Sequence, residues 1–207
     1  MKRKTKRAIK QTMIIIVVLC SALIILSILS FEKNKHPYQI ERSLISDQVL
    51  AYEPLVDKYA RLYHVTEYED VMLAMMMQES GGRGNDPMQS SESYCGHVGC
   101  IEDPELSIKQ GVYYFSKTIE AADGDIELAI QSYNFGRGFI DYVKGKSGNY
   151  TQEAAIDFSQ KMYESAPDKS IYSCLREEAK KYNACYGDIY YVRDVMEYKE
   201  ELSEHKR

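Results

Sequence analysis

The chain has 207 residues, a formal net charge of −5 and 44% apolar residues, which is enough to form a hydrophobic core of ordinary domain size. This composition excludes a disordered chain, a collagen-like repeat and a small scaffold held together by disulfides alone. Six lysines and arginines precede residue 13 without any acidic residue, so the remainder of the chain is distinctly acidic. Nucleic-acid binding requires clustered basic residues, and an acidic body therefore argues against that class of partner.

The N-terminal region predicts a membrane anchor. Residues 13–31 contain no charged side chain, and a helix of this length just spans the apolar core of a bilayer. Because cationic flanks stay in the cytoplasm, we expect residues 1–12 to be cytoplasmic and the chain after residue 31 to be extracellular. A cleaved signal peptide is the alternative, although residues 25–30 do not supply the paired small residues of a good cleavage site.

The rest of the chain has the apolar spacing of helices. Residues 32–52 are expected to form a stalk and a short lead-in helix, with Pro54 separating that helix from the next. Thr66 and Glu69 have the spacing of a capping box before an apolar run, and Gly81 and Gly82 should end that helix just after Glu79.

Further helices are predicted to begin where a capping side chain precedes an apolar stripe. The expected N-caps are Asp103, Asp125 and Thr151. Residues 166–188 are expected to be a long loop or insertion, followed by a closing helix and a charged tail at 201–207. The pattern predicts a compact all-α domain at residues 53–200 behind the N-terminal transmembrane helix.

Four cysteines lie outside the apolar segment, at positions 95, 100, 174 and 185. An even number in an extracellular domain favours two disulfides, and of the three possible pairings we prefer Cys95–Cys100 with Cys174–Cys185, which close the smallest loops. Reduced, buried thiols are the alternative. His97 lies between the first two cysteines, but three ligands at irregular spacing do not make the usual four-ligand zinc site, so we assign no metal and no other cofactor.

Glu79 is the first candidate for catalysis. It follows an apolar helix that must be buried, and it lies at the C-terminal end of that helix, where the last carbonyl groups carry partial negative charge. Both effects disfavour the carboxylate and raise the pKa of Glu79. A carboxyl group that stays protonated near neutral pH is what protonation of a glycosidic oxygen requires.

Three motifs follow one another in order and together resemble those of the lytic transglycosylase and goose-type lysozyme superfamily. They are Gln78-Glu79-Ser80-Gly81-Gly82, Asp86-Pro87-Met88-Gln89-Ser90 and Gln131-Ser132-Tyr133-Asn134-Phe135-Gly136. The residues of these motifs are most similar to those of the lysozyme-like domains of Gram-positive surface proteins, including the cell-wall hydrolases of conjugative elements. The resemblance covers roughly residues 53–198 and implies a lysozyme-like fold.

The resemblance also implies a role for each matching residue. Glu79 takes the place of the general acid, which later acts as the base. Gln89 matches an amide that contacts the sugar near the scissile bond, and Tyr133 matches a phenol that hydrogen-bonds the catalytic carboxyl. Asn134 matches an amide near the developing oxocarbenium ion, and Gly136 lets the loop approach the glycan. The motif residues Ser80, Asp86 and Met88 complete the set expected to bind substrate or support catalysis.

The implied activity is cleavage of the β-1,4 bond between N-acetylmuramic acid and N-acetylglucosamine in peptidoglycan, outside the cell. Two outcomes stay open: a transglycosylase needs one carboxyl and leaves a 1,6-anhydro end, whereas a muramidase uses water and generally a second carboxylate. Asp86 and Glu92 are the nearest candidates for that second group. The alternative function is a non-catalytic envelope protein that uses the same fold to bind glycan or to assist assembly.

Overall fold

A computed structural model of the chain describes residues 13–16, 18–21, 23, 26, 44–146 and 148–205. The chain divides into two compact units, Met1–Arg42 and Ser43–Arg207. The basic segment at 1–12, part of the predicted 13–31 span and residues 32–43 of the predicted 32–52 segment lie outside the described residues. Among the residues that are described, no helix is both long enough and apolar enough to cross a membrane.

The described part of the second unit is helical and has no β-strand, which confirms the predicted all-α class. Its α-helices are α1 (Asp47–Ala51), α2 (Glu53–Leu62), α3 (Glu69–Glu79), α4 (Ser91–Cys95), α5 (Pro104–Ala121), α6 (Ile126–Phe135), α7 (Gly138–Lys144), α8 (Gln152–Ser165), α9 (Glu177–Lys181) and α10 (Tyr191–His205). Two 3₁₀ turns, Thr66–Tyr68 and Lys169–Ile171, lie between them. The short helices α4 and α7 were not predicted from the sequence.

Most of the predicted helix boundaries are confirmed by their caps. The side chains of Asp103, Asp125 and Thr151 each accept a hydrogen bond from the backbone N–H three residues later, at the starts of α5, α6 and α8. The predicted capping box at Thr66 and Glu69 is wrong. Thr66 instead begins a 3₁₀ turn that leads directly into α3, so it is not in the N-cap position.

The ends of the domain also differ from the prediction. Helix α1 lies in the 32–52 segment that the sequence places before the domain, but it belongs to the second compact unit and buries Val49. At the other end, α10 continues through most of the expected tail, because Leu202 is fully buried in the core. The expected loop at 166–188 is present, but it contains α9 and one of the 3₁₀ turns.

Helix α3 runs through the middle of the core and determines where its last residue lies. The six residues from Val71 to Met76 are all buried, around the whole circumference of the helix. It packs mainly against α10 and also against α2. Gly81 and Gly82 follow with φ angles of 64° and 78° and end the helix as predicted. Glu79 is therefore held at a fixed point, where a buried helix reaches the surface.

Candidate active site

Glu79 is the last residue of α3 and is partly buried. Its Oε1 accepts a hydrogen bond of 2.6 Å from the hydroxyl of Tyr191, the first residue of α10, which is only 2% exposed. The close packing of α3 against α10 brings these two residues together, although 112 positions separate them in the sequence. The carboxyl is thus held in place by a hydroxyl that has no freedom to move away.

The surroundings of Glu79 favour its neutral form. Burial is the largest influence on its pKa, and the nearby carboxylates of Asp86 and Asp188 add to the effect. The hydrogen bond from Tyr191 works in the opposite direction and is outweighed. Together these influences raise the pKa of Glu79 from about 4.5 to about 7. A substantial fraction of this group is therefore protonated at neutral pH.

Asp86 lies in the same cleft, in a very different environment. Its Oδ1 accepts hydrogen bonds from the N–H of Ser90 (2.9 Å) and from the hydroxyl of Ser107 (2.6 Å). Its Oδ2 accepts from the N–H (3.0 Å) and the hydroxyl (2.6 Å) of Ser91. Partial burial alone would raise the pKa of Asp86, but these hydrogen bonds outweigh it and lower the pKa below its usual value. Asp86 is an ionised carboxylate whose acceptor sites are occupied.

The loop between α3 and α4 is fixed by contacts of the second motif. The Ser80 hydroxyl donates to the carbonyl of Pro87 (2.8 Å), and the Met88 N–H donates to the Ser107 hydroxyl (3.0 Å). The side chain of Met88 is fully buried. Ser80 and Met88 are therefore outside the cleft and support its wall, whereas Gln89, with a left-handed φ of 48°, is exposed and lines the cleft.

Two residues from the end of α6 form the opposite side of the cleft. The Tyr133 hydroxyl donates to the carbonyl of Met88 (2.8 Å). The Oδ1 of Asn134 accepts a hydrogen bond from the N–H of Asp188 (2.8 Å), which fixes the orientation of the Asn134 amide. Asn134 lines the cleft, and its amide nitrogen is the group that can donate to a ligand there. A side chain at Gly111 would approach the Tyr133 hydroxyl to 2.9 Å, so this tyrosine fits only because residue 111 has none.

The chain segment before α10 holds Asn134 in place. The carbonyl of Asp188 accepts from the Gln131 side chain (2.9 Å), so two residues of α6 fix the backbone of Asp188. The Asp188 carboxylate is 6% exposed and receives two hydrogen bonds from the guanidinium of Arg176, of 2.7 and 2.6 Å. Gly187 has a φ of 60°, and a Cβ there would lie 2.6 Å from the Asn134 Oδ1.

These residues surround an open cleft with two arms. The first arm is lined by Glu79 and Asp86 together with other residues, among them Ser91 and Val98. The second arm extends past Gly136. Both arms share four residues, which makes them one continuous groove: Gln89, Glu92, Tyr133 and Asn134. The second arm adds the aromatic residues Tyr114, Phe135 and Tyr186. An elongated polar groove with aromatic residues on one side suits an extended saccharide chain.

Residues 46–199 match the family described as Lysozyme-like. The chain belongs to this family. The lysozyme-like domain thus includes Glu79, the cleft and the segment that carries Asp188 and Tyr191. This result confirms the superfamily that the three sequence motifs indicated.

Known proteins extend this comparison. An uncharacterized membrane protein of Bacillus subtilis, YocA, is 35% identical over 204 residues, which cover 95% of this chain and 90% of YocA. The bifunctional muramidase/DL-endopeptidase CwlT of Bacillus subtilis is 42% identical over 154 residues, covering 74% of this chain but only 42% of CwlT. The crystal structure of a lipoprotein-like protein of the NLP/P60 family from Staphylococcus aureus has a TM-score of 0.65 and 38% identity, over 74% of this chain and 53% of that one.

Both preferred disulfides are present in the lysozyme-like domain, Cys95–Cys100 and Cys174–Cys185. The first bond also settles the question of His97. The ligand atoms of Cys95, His97 and Cys100 lie within 4.8 Å of one another, but the two sulfurs are bonded to each other and are not thiolates that would bind a metal.

The structure brings the predicted residues together but corrects one of their roles. The hydroxyl that bonds the Glu79 carboxyl belongs to Tyr191 and not to Tyr133, because Tyr133 donates to the Met88 carbonyl. Tyr191, Arg176 and Asp188 were missed. The sequence predicts only a loop with two cysteines and a closing helix in this segment, and no local spacing connects these three residues with Glu79.

Proposed function

We propose that this protein is a peptidoglycan glycosidase that cleaves the β-1,4 bond between N-acetylmuramic acid and N-acetylglucosamine. Membership of the lysozyme-like family supports a cell-wall hydrolase. The muramidase activity in the name of CwlT supports glycan as the substrate, with the limit that this chain spans less than half of CwlT. The elongated polar groove supports a polymeric substrate.

One observation carries the proposal: a carboxyl group with a pKa of about 7 at the wall of this groove. With Oε1 occupied by the Tyr191 hydroxyl, the proton of neutral Glu79 is left to Oε2. Transfer of that proton to the glycosidic oxygen breaks the bond to the anomeric carbon, where positive charge develops. Asn134, oriented by the Asp188 N–H, supplies an amide dipole to the same region of the groove.

The state of Asp86 favours a reaction with a single catalytic carboxyl. A nucleophile or base must offer a lone pair, and the Asp86 oxygens already accept four hydrogen bonds from three serines. In the one-carboxyl route, ionised Glu79 takes the proton of the 6-hydroxyl of the muramic acid, whose oxygen attacks the anomeric carbon. The product is a 1,6-anhydro end, and water is not consumed.

Hydrolysis is the second candidate, and Glu92 is the observation that favours it. This residue is exposed and lines both arms of the groove, so its carboxylate is accessible to activate a water molecule. The muramidase activity in the name of CwlT points in the same direction. The two routes give chemically different ends on the glycan.

Mass spectrometry of the muropeptides released from purified cell walls by the full-length protein in detergent tests the proposal. Anhydro ends support transglycosylation, whereas reducing ends support hydrolysis. The matched control is Glu79→Gln, which should bind the walls and release nothing. Wall binding by wild type without released products would instead support a non-catalytic glycan-binding role.

The proposal includes an extracellular location with the N-terminus inside the cell. Its support is the uncharged segment 13–31, the six preceding cations and the membrane location in the name of YocA, which aligns with 95% of this chain. Protease added to cells without walls should digest the domain and leave residues 1–12 protected. Recovery of a secreted form that begins near residue 31 would contradict the anchor and favour a cleaved signal.

A further inference from the structure

A short loop after α4 is closed covalently beside the candidate acid. Cys95, the last residue of α4, is bonded to Cys100, and the next residue, Ile101, is buried. The N–H of Ile101 donates to the Ser91 hydroxyl (3.2 Å), and that hydroxyl donates to Asp86 (2.6 Å). The disulfide and this hydrogen-bond chain therefore fix both ends of the loop to the same wall of the cleft.

Val98 lies at the tip of this loop and lines the same arm of the cleft as Glu79. Its side chain is 71% exposed. A single exposed apolar residue on a surface needs no explanation, but Val98 differs in its surroundings. Every other residue that lines this arm carries a polar group: Glu79, Asp86, Gln89, Ser91, Glu92, Tyr133 and Asn134. Val98 is thus an isolated branched aliphatic side chain in an otherwise polar arm of the groove.

We propose that Val98, positioned by the Cys95–Cys100 loop, is a specificity-determining contact for the methyl of an N-acetyl group on the glycan. This inference rests on the proposed glycan-cleaving function. An amino sugar offers two kinds of apolar surface, the C–H face of its ring and the methyl of its acetamido group. Ring faces pack on aromatic side chains, such as those that line the second arm. The acetamido methyl is the group whose size fits one valine.

Binding to glycan strands freed of stem peptides tests this contact. The full-length protein in detergent carries Glu79→Gln, so that the strands stay intact, and each variant is compared on N-acetylated and on de-N-acetylated strands. Val98→Ser should weaken binding of the N-acetylated strands roughly tenfold, the low end of what a methylene contributes in a binding pocket. On de-N-acetylated strands, Val98→Ser and the parent should bind equally, and Val98→Ile should resemble the parent on both.

Leu175→Ser is the matched control. Leu175 is 64% exposed and lies in the other disulfide loop, outside both arms of the cleft. Its replacement should therefore change the affinity neither for N-acetylated nor for de-N-acetylated strands. A second variant, Cys95→Ser with Cys100→Ser, should bind the N-acetylated strands more weakly. Adding Val98→Ser to this variant should reduce that affinity only a little further. If the cysteine variant does not fold, the Val98 comparison still decides, because an exposed side chain contributes little to folding.

The outcomes separate this inference from the proposed function. An equal loss on both kinds of strand, or no loss for Val98→Ser, would overturn the acetyl contact while cleavage by wild type still supports the glycosidase. An acetyl-dependent loss in a protein that releases no muropeptides would support the contact and overturn catalysis. A chain that neither binds nor cleaves would overturn both.

Discussion

Two carboxyl groups of one cleft have pKa values shifted in opposite directions. Glu79 ends a buried helix and receives one hydrogen bond, from Tyr191, and its pKa rises to about 7. Asp86 lies in a loop, receives hydrogen bonds from three serines and has a lowered pKa. Both side chains have the same functional group, so the difference comes from the number of donors and the extent of burial. Environments that separate two pKa values in this way assign one group as the acid.

The largest effect is expected from Glu79→Gln. The amide keeps the size of the side chain and an acceptor for Tyr191, but it has no proton to transfer. General acid–base catalysis is typically worth about 10²–10⁴-fold, so turnover should fall by at least that range. Release of muropeptides measures turnover, with thermal melting as the control for folding. A folded variant that cleaves at the wild-type rate would contradict the role of Glu79.

Asp86→Asn should act mainly on stability. The amide keeps one oxygen, but its nitrogen replaces the other and cannot accept the hydrogen bonds donated there, by Ser91 at Oδ2 or by Ser90 and Ser107 at Oδ1. Each donor left unsatisfied costs about 1–3 kcal/mol. The free energy of unfolding should fall by about that amount, and turnover should fall by less than the loss expected for a missing general base.

Asp123→Asn is the matched control for that variant, because its partner Lys144 forms only a surface ion pair with an 81% exposed carboxylate. Its melting temperature should stay close to that of wild type. If Asp86→Asn instead abolished turnover while the melting temperature was unchanged, Asp86 would be a second catalytic carboxylate and the contrast between the two groups would fail.

Replacing each of the two tyrosines of the site should have a smaller effect, which is seen in the pH dependence of the rate. The Tyr191 hydroxyl lowers the pKa of Glu79, so Tyr191→Phe should raise that pKa and move the alkaline limb of the pH–rate profile to higher pH. Tyr133→Phe loses a bond to the Met88 carbonyl and should leave the limb near its wild-type position. The measurement is kcat/KM against pH for both variants. A larger shift for Tyr133→Phe than for Tyr191→Phe would reverse the assignment.

A last effect is expected on stability as pH changes. In the unfolded chain Glu79 ionises near pH 4.5, and in the folded protein near pH 7. The folded state therefore binds more protons between these values, and this group makes folding less favourable as pH rises through that window. Relative to wild type, Glu79→Gln should be more stable at pH 8 and similar at pH 4. Equal melting differences at both pH values would contradict the raised pKa.

Sequence alone located one half of this site and not the other. Glu79, Gln89 and Asn134 lie in short motifs whose order and spacing can be recognised. The cap at Asp125 correctly places the helix of Asn134, and Gly81 and Gly82 correctly end the helix of Glu79. The partner of Glu79 was misassigned because 18 tyrosines are available and only the packing of α3 against α10 selects Tyr191.

The network around Asp86 shows why local patterns are insufficient. An aspartate before a proline is typical of a turn, and Asp86 does accept hydrogen bonds from the nearby Ser90 and Ser91. The shortest bond to Oδ1 comes from Ser107, 21 residues away on α5, and no sequence spacing predicts it. The Arg176–Asp188 pair likewise depends on how the second disulfide loop folds back onto α6.

The difference between the pKa values of Glu79 and Asp86 is tested directly by titration of the carboxyl groups with ¹³C NMR. The two signals are assigned by comparison with Glu79→Gln and Asp86→Asn. We expect a midpoint near pH 7 for Glu79 and a midpoint below the usual aspartate value for Asp86. If Glu79 titrated near pH 4.5, it would be fully ionised at neutral pH, and the assignment of this residue as the proton donor would be contradicted.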